Sequence, residues 1–514
     1  MRGALFTPHG YWQHGASRFV ILTLVSVASS LLRRHEAKKD LVAPPPPNAT
    51  HSLVECGGRR KSCEAFGAGA RSAPGARPKA SKTAGGNSFA MLPGPRTGLG
   101  CRRLETFDNR AGFDRVPCLG AKNLTRSSSG PVLFDLTPLE TISSLRGIGR
   151  YVRGLASGLA ELARERAVQL EGVAATPDLK QLFLVEDPFA YCHRPVTSPV
   201  PNSPKRRDQL IARQMAAFAC ARSGLLHLAD PRGIPEPRVA FTVTCHDLIP
   251  LVLHHAYLPR VPYWTKLYAA RERERYRRPR RILAVSHATK RDLCERLDVE
   301  AARVDVVWHG VDHHVFHPRA VPNERALVDE IVGCSGPYVF YLGAGDARKD
   351  LGTLLAAFVQ SGLHREARLV LAGELGAKRT RQLKAQARRL GVTDAVRFAG
   401  YVQEERVPAL YRQAAVHAFL SQYEGFGLPV LEGMACGAPT ITNSGSSLDE
   451  VAGDAALVVP CGDQEALTEA LKSAFFDTAR RADLRERGLS RAQTFSWRSC
   501  AEQTIAFWQR TSDA

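Results

Sequence analysis

Several common features are missing from this sequence, and each absence narrows its reading. Its twelve cysteines include no C-x-x-C pair and no Cys/His cluster at zinc-ligand spacing. That excludes a zinc-finger or dithiol-redox module. Cys220, Cys245, Cys294, Cys334 and Cys436 sit in apolar or helical contexts, as small buried thiols of a reducing compartment do. A cytoplasmic location is expected on that ground. No D-x-D motif follows a strand-like run, so no carboxylate-held metal and no other cofactor is expected. No nucleic-acid-binding module is recognisable. Residues 1–130 lack sustained hydrophobic periodicity of either kind, which leaves them without a pattern for helix or strand.

That first stretch is instead rich in Gly, Pro, Ser, Ala and Arg, with Pro44–Pro47 and the run Gly67 to Lys82. Such a composition buries too little apolar surface to offset chain entropy, so residues 1–129 are expected to be a disordered basic extension. One run breaks the texture: Phe19–Leu32 is uncharged and largely apolar, with Arg18 before it and Arg33-Arg34 after it. At fourteen residues it falls short of the about 20 needed to span a bilayer. A signal sequence or signal anchor, a basic transit peptide, and a neutral tail or over-extended start all remain open.

The chain is 514 residues long and 44% hydrophobic, enough for two ordinary domains plus an extra segment. Its net charge is +20, of which residues 1–120 carry +11 (18 Lys/Arg against 7 Asp/Glu). A basic chain suggests a phosphate-bearing or anionic-surface partner, and nucleotides, nucleic acid and acidic lipid all fit. From residue 130 short apolar runs alternate with helical patterns. Pro131 to Thr137 is strand-like, and an amphipathic helix is expected from about Tyr151 to Arg164, after a glycine loop at Gly147 and Gly149. Further strand-like runs are Gln181–Val185, Leu225–Leu228, Val239–Thr244, Arg281–Val285 and Val304–Trp308. The pattern restarts after Pro318, with Tyr338–Leu342, Arg368–Ala372, Val396–Phe398, Ala415–Leu420, Pro439–Thr442 and Ala455–Val459. This alternation predicts an α/β fold of two Rossmann-like, doubly wound parallel-sheet domains facing a cleft. The expected domains are 130–318 and 319–495, with a C-terminal helix over 496–514 packing back on the first. Ligands of such sheets bind beyond the carboxyl ends of the strands, which places the site in the cleft.

The segment Glu424-Gly425-Phe426-Gly427-Leu428-Pro429-Val430-Leu431-Glu432 has a physical reading of its own. Pro429 suits the first helical position, where a missing N–H costs nothing. Phe426, Gly427 and Leu428 would then offer amides at a helix N-terminus, which suits a diphosphate. Glu424 would precede the helix and Glu432 would lie a turn inside it, two carboxylates bracketing an anion site. Spacing alone supports equally well a surface acid and an ordinary first-turn acid favoured by the helix dipole.

Ser421–Leu457 closely resembles the E-x7-E signature of glycosyltransferase family 4, whose fold is the two-domain GT-B type. Other stretches match in order: Thr244–Pro250 resembles the family's His-containing loop, Ala284–Leu293 its Ser-led strand–helix unit, and Val306–Asp312 its interdomain stretch. Tyr341–Leu351 resembles its basic loop. Gly147–Tyr151 is similar to the N-terminal glycine loop of bacterial mannosyltransferase-like group 1 members. The resemblance spans about residues 131–510.

The resemblance implies a role for each matching residue. Glu424 would orient the donor sugar through its hydroxyls, and Glu432 would bind the ribose. Arg348 and Lys349 would neutralise the departing diphosphate, with the amides of Phe426, Gly427 and Leu428 adding to that field. The backbone near Tyr401 and Val402 would meet the nucleobase. His246 would face the reacting sugar, and Gly147 and Gly149 would let the first loop approach phosphate or sugar. Some positions depart from the family pattern. Leu420 stands where Pro is common, Gly433 where Ala is common, and Ala344 near the usual Arg, which makes Lys349 the firmer of the two basic assignments.

The expected partners are a nucleotide-sugar donor, GDP- or UDP-linked, and a glycan or lipid-linked acceptor. The expected activity is retaining transfer of a hexose, mannose favoured, without metal. Arg260–Arg281 is dense in Arg with Tyr263, Trp264, Leu267 and Tyr268 interleaved. A membrane-surface helix giving peripheral membrane contact and a solvated basic face remain equally open. A glycan phosphorylase or sugar-nucleotide epimerase on the same fold is the alternative enzyme. A basic nucleic-acid-binding protein is the alternative of another class, disfavoured because so much of the charge lies in the low-complexity extension.

Overall fold

A computed structural model describes residues 130–512, apart from 167–168, 177–178, 180, 194–204, 223, 231–234, 236–238 and 259–261. The expected extension and its apolar run Phe19–Leu32 lie outside the described residues. The first sheet contains β1 (Val132–Asp135), β2 (Leu170–Ala175), β3 (Leu182–Val185), β4 (Leu225–Leu228), β5 (Phe241–Cys245), β6 (Arg281–Ala284) and β7 (Val304–Val306), in the order β3-β2-β1-β4-β5-β6-β7. The second contains β8 (Tyr338–Leu342), β9 (Arg368–Ala372), β10 (Val396–Gly400), β11 (Val416–Phe419), β12 (Thr440–Asn443) and β13 (Leu457–Val459), in the order β10-β9-β8-β11-β12-β13.

Every pairing in the second sheet is parallel. In the first sheet one pairing corrects the all-parallel expectation: β3 runs antiparallel to β2. The link between them is only residues 176–181, closed by Thr176 N donating to Gln181 O at 2.9 Å. A parallel crossover needs a dozen residues or more, so a link this short returns the chain antiparallel.

The longer helices are α1 (Gly147–Arg166), α2 (Lys205–Arg222), α3 (Pro262–Arg277), α4 (His287–Leu297), α5 (Glu324–Val332), α6 (Leu351–Gln360), α7 (Ala377–Arg389), α8 (Val407–Gln413), α9 (Leu428–Ala435), α10 (Ser447–Ala452), α11 (Gln464–Phe476), α12 (Thr478–Gln493) and α13 (Trp497–Ser512). They cover sheets whose strands are apolar on both faces, as Leu369, Val370, Leu371 and Ala372 of β9 show by their complete burial. None is long and apolar enough to cross a membrane.

The chain passes between the halves twice. The first passage follows β7, and the second runs through Phe495 into α13, where Ser496 bridges to Val311. α13 then lies on α1. A Cβ on Gly154 would come 2.0 Å from the Trp497 ring, and one on Gly158 2.2 Å from the Trp497 carbonyl, so the two glycines of α1 make room for this packing. Trp508 meets Phe134 and His227 of the first sheet. Strand order reverses between β1 and β4 and between β8 and β11, the crevices where ligands of doubly wound sheets bind.

Candidate active site

The loop after β11 and the start of α9 form the centre of the cleft. Ser421 is held by Asn443 Oδ1, which accepts from its amide at 2.8 Å. Ser447 Oγ lies 2.9 Å from the carbonyl oxygens of both Glu424 and Phe426. Gly427 adopts φ 109° and ψ 44°, a turn open to glycine and strained for other residues. α9 begins at Leu428, so Pro429 occupies the second helical position rather than the first, still within the turn that needs no donor. The amides of Phe426, Gly427 and Leu428 meet no acceptor among the described residues.

Glu424 sits between two cations. Lys349 Nζ donates to its Oε1 at 2.5 Å, and Arg348 Nη1 donates to the same oxygen. Arg348 Nη1 also bonds Ser421 Oγ and the Tyr423 carbonyl, each at 2.9 Å. Lys349 is only 6% exposed, with Nζ 4.1 Å from the centroid of the Phe419 ring. Burial lowers its pKa to about 8 against the attraction of Glu424. Burial would raise the Glu424 carboxyl, but Lys349 and Arg348 pull it down to about 2. Asp350 follows in the left-handed region at φ 44°, a conformation Asp tolerates better than most residues. It ends the short turn that carries both cations and opens α6.

Glu432 is 2% exposed and meets the first half directly. Arg150 Nη1 of α1 donates to its Oε1 at 2.6 Å, and Tyr411 OH to its Oε2 at 3.4 Å. Burial raises its pKa and Arg150 opposes that rise. Arg150 was not among the residues the sequence singled out. It adjoins Gly149, and its partner lies 282 residues away.

The other expected residues fall around this centre. His246 follows β5, and its Nε2 lies 2.8 Å from the Ala229 carbonyl oxygen. Burial lowers its pKa, and its ring packs edge-on against Tyr151. Its own carbonyl oxygen lies 1.8 Å from where a Cβ on Gly425 would stand, so main chain from each half meets here and only glycine fits. Val402 follows β10 with its side chain in the apolar core, leaving its backbone beside the exposed Tyr401.

Gly147 and Gly149 correct an expectation. They do not form a loop but lie in the first turn of α1. A Cβ on Gly149 would stand 2.3 Å from the Ser144 carbonyl, whereas one on Gly147 would meet nothing within 4 Å. Gly149 is a packing requirement of the preceding turn, and the space at Gly147 remains open. Of the cysteines read as buried, Cys245 and Cys436 are, Cys294 and Cys334 are half-buried, and Cys220 is exposed.

Three further contacts join the halves at the site. Tyr257 OH donates to Asp346 Oδ1 at 2.5 Å. Tyr423 OH donates to Asp292 of α4. Glu450 of α10 accepts from the first amides of α4. Their sequence signal is slight, because each partner comes from a distant segment.

Comparison with known proteins agrees with this fold. A family profile described as "Glycosyl transferases group 1" matches residues 334–491, and one described as "Glycosyltransferase Family 4" matches residues 145–315. The two profiles, one on each half, support a glycosyltransferase of the group 1 kind. It is 37% identical to the O-antigen chain mannosyltransferase B of Escherichia coli over 172 residues, which are 33% of this chain and 44% of that protein. The chain spans about half, or less, of the length of the first curated relatives it matches. Among solved structures it is similar to a sucrose-phosphate synthase from Thermosynechococcus elongatus, with TM-score 0.58, 20% identity, and coverage of 74% of this chain and 98% of that one. It is also similar to Anabaena HepE in complex with UDP-glucose, with TM-score 0.54, 17% identity, and coverage of 73% and 98%. These structural likenesses show a shared GT-B fold.

Proposed function

We propose that this group 1 glycosyltransferase moves a hexose, mannose favoured, from a nucleotide-diphosphate sugar to a glycan or lipid-linked acceptor, with retention at the anomeric carbon. The observation that carries the reading is the Glu424–Lys349–Arg348 trio beside the unpartnered amides of Phe426, Gly427 and Leu428. Two fixed cations and a helix N-terminus converge where a departing diphosphate would gain charge, which is where preorganised dipoles and charges stabilise a transition state most. They supply positive charge from side chains, so turnover in excess chelator is expected.

In the proposed reaction the bond from the anomeric carbon to the diphosphate oxygen breaks. A bond from the acceptor hydroxyl oxygen to the same face of that carbon forms, and the hydroxyl proton passes to the departing phosphate oxygen. Glu424 is committed to two cations, which makes its carboxylate a poor nucleophile toward the sugar. It is better suited to accept hydroxyl hydrogens and orient the ring.

Mannose is favoured by the name of the curated relative, and a sugar-nucleotide donor by the UDP-glucose bound to HepE. Nucleotide release should be screened across donors, starting with GDP-mannose and UDP-sugars, and the product's anomeric configuration read by NMR. Inverted product would overturn retention. Turnover that needs free phosphate in place of an acceptor would point to a phosphorylase on the same fold.

A further inference from the structure

The start of α4 is completed by a residue from the other half of the molecule. Ser286 Oγ caps the helix by accepting from Thr289 N at 3.0 Å. The amides of His287 and Ala288 then have no partner within the helix, as is general for a first turn. The Glu450 carboxylate takes both, Oε2 from His287 N at 2.8 Å and Oε1 from Ala288 N at 2.7 Å. An acid at this end also suits the helix dipole.

The same carboxylate reaches the passage between the halves. Trp308 Nε1 donates to Glu450 Oε2 at 3.2 Å, and Trp308 lies just after β7, on the first passage. Arg491 donates to the Glu450 carbonyl at 2.5 Å, and its guanidinium lies over the rings of Trp308 and Phe495. Phe495 lies on the second passage. α10 therefore has two attachments. Glu450 fastens it to the first half, and Ser447 holds the carbonyls of Glu424 and Phe426 in the loop that carries the donor-side groups.

We propose that Glu450 is a positioning residue for sugar transfer. Its carboxylate clamps α4 and, through Ser447, sets the loop 424–428 against the first half at the spacing the reacting groups need. It touches no reacting atom. The catalytic part of this inference rests on the transferase reading above, whereas the clamp itself does not.

The test uses the full chain with Glu450→Ala and Glu450→Gln. Gln keeps the size but turns an amide donor toward amides that need an acceptor. Misplacement of about 1 Å can slow a positioned reaction by about a hundredfold, so kcat should fall by about tenfold or more in both variants. Affinity for UDP and GDP, read by calorimetry, should stay within about twofold of wild type, a small fraction of one tenfold step, because Glu432, the loop amides and the Val402 backbone all lie in the second half. Formate at high millimolar concentration should restore kcat in Glu450→Ala by refilling the space on α4, and should leave wild type unchanged.

Hydrogen exchange gives a readout independent of turnover. The amides opening α4 should lose protection in Glu450→Ala and regain it with formate. Wild-type kcat in both variants would overturn the positioning role, as would parallel loss of nucleotide affinity and thermal stability without formate rescue. Unchanged protection would overturn the clamp. If wild-type protein transfers no sugar from any donor, the transferase reading fails, and the exchange experiment still decides the clamp.

Discussion

Lys349 gives the site a pH signature whose sign can be worked out from its surroundings. Burial lowers its pKa from 10.5 to about 8, opposing the pull of Glu424, with Arg348 adding repulsion and Asp346 some attraction. Converted by 1.36 kcal/mol per pH unit, that fall is roughly 3 kcal/mol of net disfavour for the charged form in the folded protein. Between about pH 8 and 10.5 the unfolded chain keeps a proton that the folded chain has released, so this group makes stability rise with pH across that window.

Activity should move the other way. In the proposed reaction the departing diphosphate needs the ammonium, and kcat/KM reports the ionisation of the free enzyme. It should therefore fall above about pH 8, toward a floor set by Arg348 and the loop amides. Lys349→Arg keeps a cation throughout this range and should flatten that limb, whatever its absolute rate. Lys349→Met should sit near the floor at every pH. The measurement is nucleotide release at subsaturating donor, beside thermal melts over the same pH range. A wild-type profile flat through about pH 10, or a limb that survives in Lys349→Arg, would refute the role given to this ammonium.

Glu424→Ala should lower kcat/KM at least about tenfold, or about 1.4 kcal/mol of transition-state stabilisation; wild-type turnover in that variant would remove Glu424 from the site. Gly433→Ala should destabilise the protein, because its Cβ would stand 2.4 Å from Nδ1 of the fully buried His417, itself hemmed in by Phe340, Tyr411 and Phe419. Overpacking costs about 1–3 kcal/mol, against about 1 kcal/mol gained in helix propensity. Pairing the change with His417→Val should recover stability, and a single variant that melts at or above wild type would contradict this account. If α3 meets a membrane surface, vesicles rich in acidic lipid should carry the protein in flotation at low salt, with Tyr263, 50% exposed, as one contact; absence from the floating fraction ends that idea.

The fold was legible in the chain wherever its determinants are local. Buried parallel strands show as uninterrupted apolar runs, so Tyr338–Leu342 and Arg368–Ala372 could be read as such without a partner. The loop before α9 was legible for the same reason: Glu424, the turn at Gly427 and Glu432 lie within nine residues, and the helix that follows places them. What escaped depends on relations across the chain. The direction of β3 follows from the short link at 176–181 and not from the pattern of the strand. The glycines at 147 and 149 suggested a loop, because nothing nearby shows that Gly149 must pack on the Ser144 carbonyl. Arg150 with Glu432, and Glu450 with the start of α4, join segments 282 and about 160 residues apart. Such pairs leave no periodicity to find, because each charged member alone is an ordinary residue on a helix and the amides that Glu450 meets belong to any first turn.

Those distant pairs change what the two signature acids mean. A buried carboxylate without a partner costs several kcal/mol or shifts its pKa until it is neutral. Glu424 escapes that cost through Lys349 and Arg348 from its own half, and Glu432 through Arg150 from the other. The two acids thus share three cations, around which Asp247, Asp346 and Glu404 also lie. Beside them are helix amides that meet no acceptor among the described residues. A surface acid and an ordinary first-turn acid would need none of this apparatus, since water would satisfy both. The arrangement instead suits a ligand that carries hydroxyls for the carboxylates and anionic oxygens for the cations and amides. A sugar joined to a nucleoside diphosphate carries both within one molecule. The division between the halves matters too: Glu424 is charged and oriented without help from the first half, while Glu432 draws its cation from across the cleft.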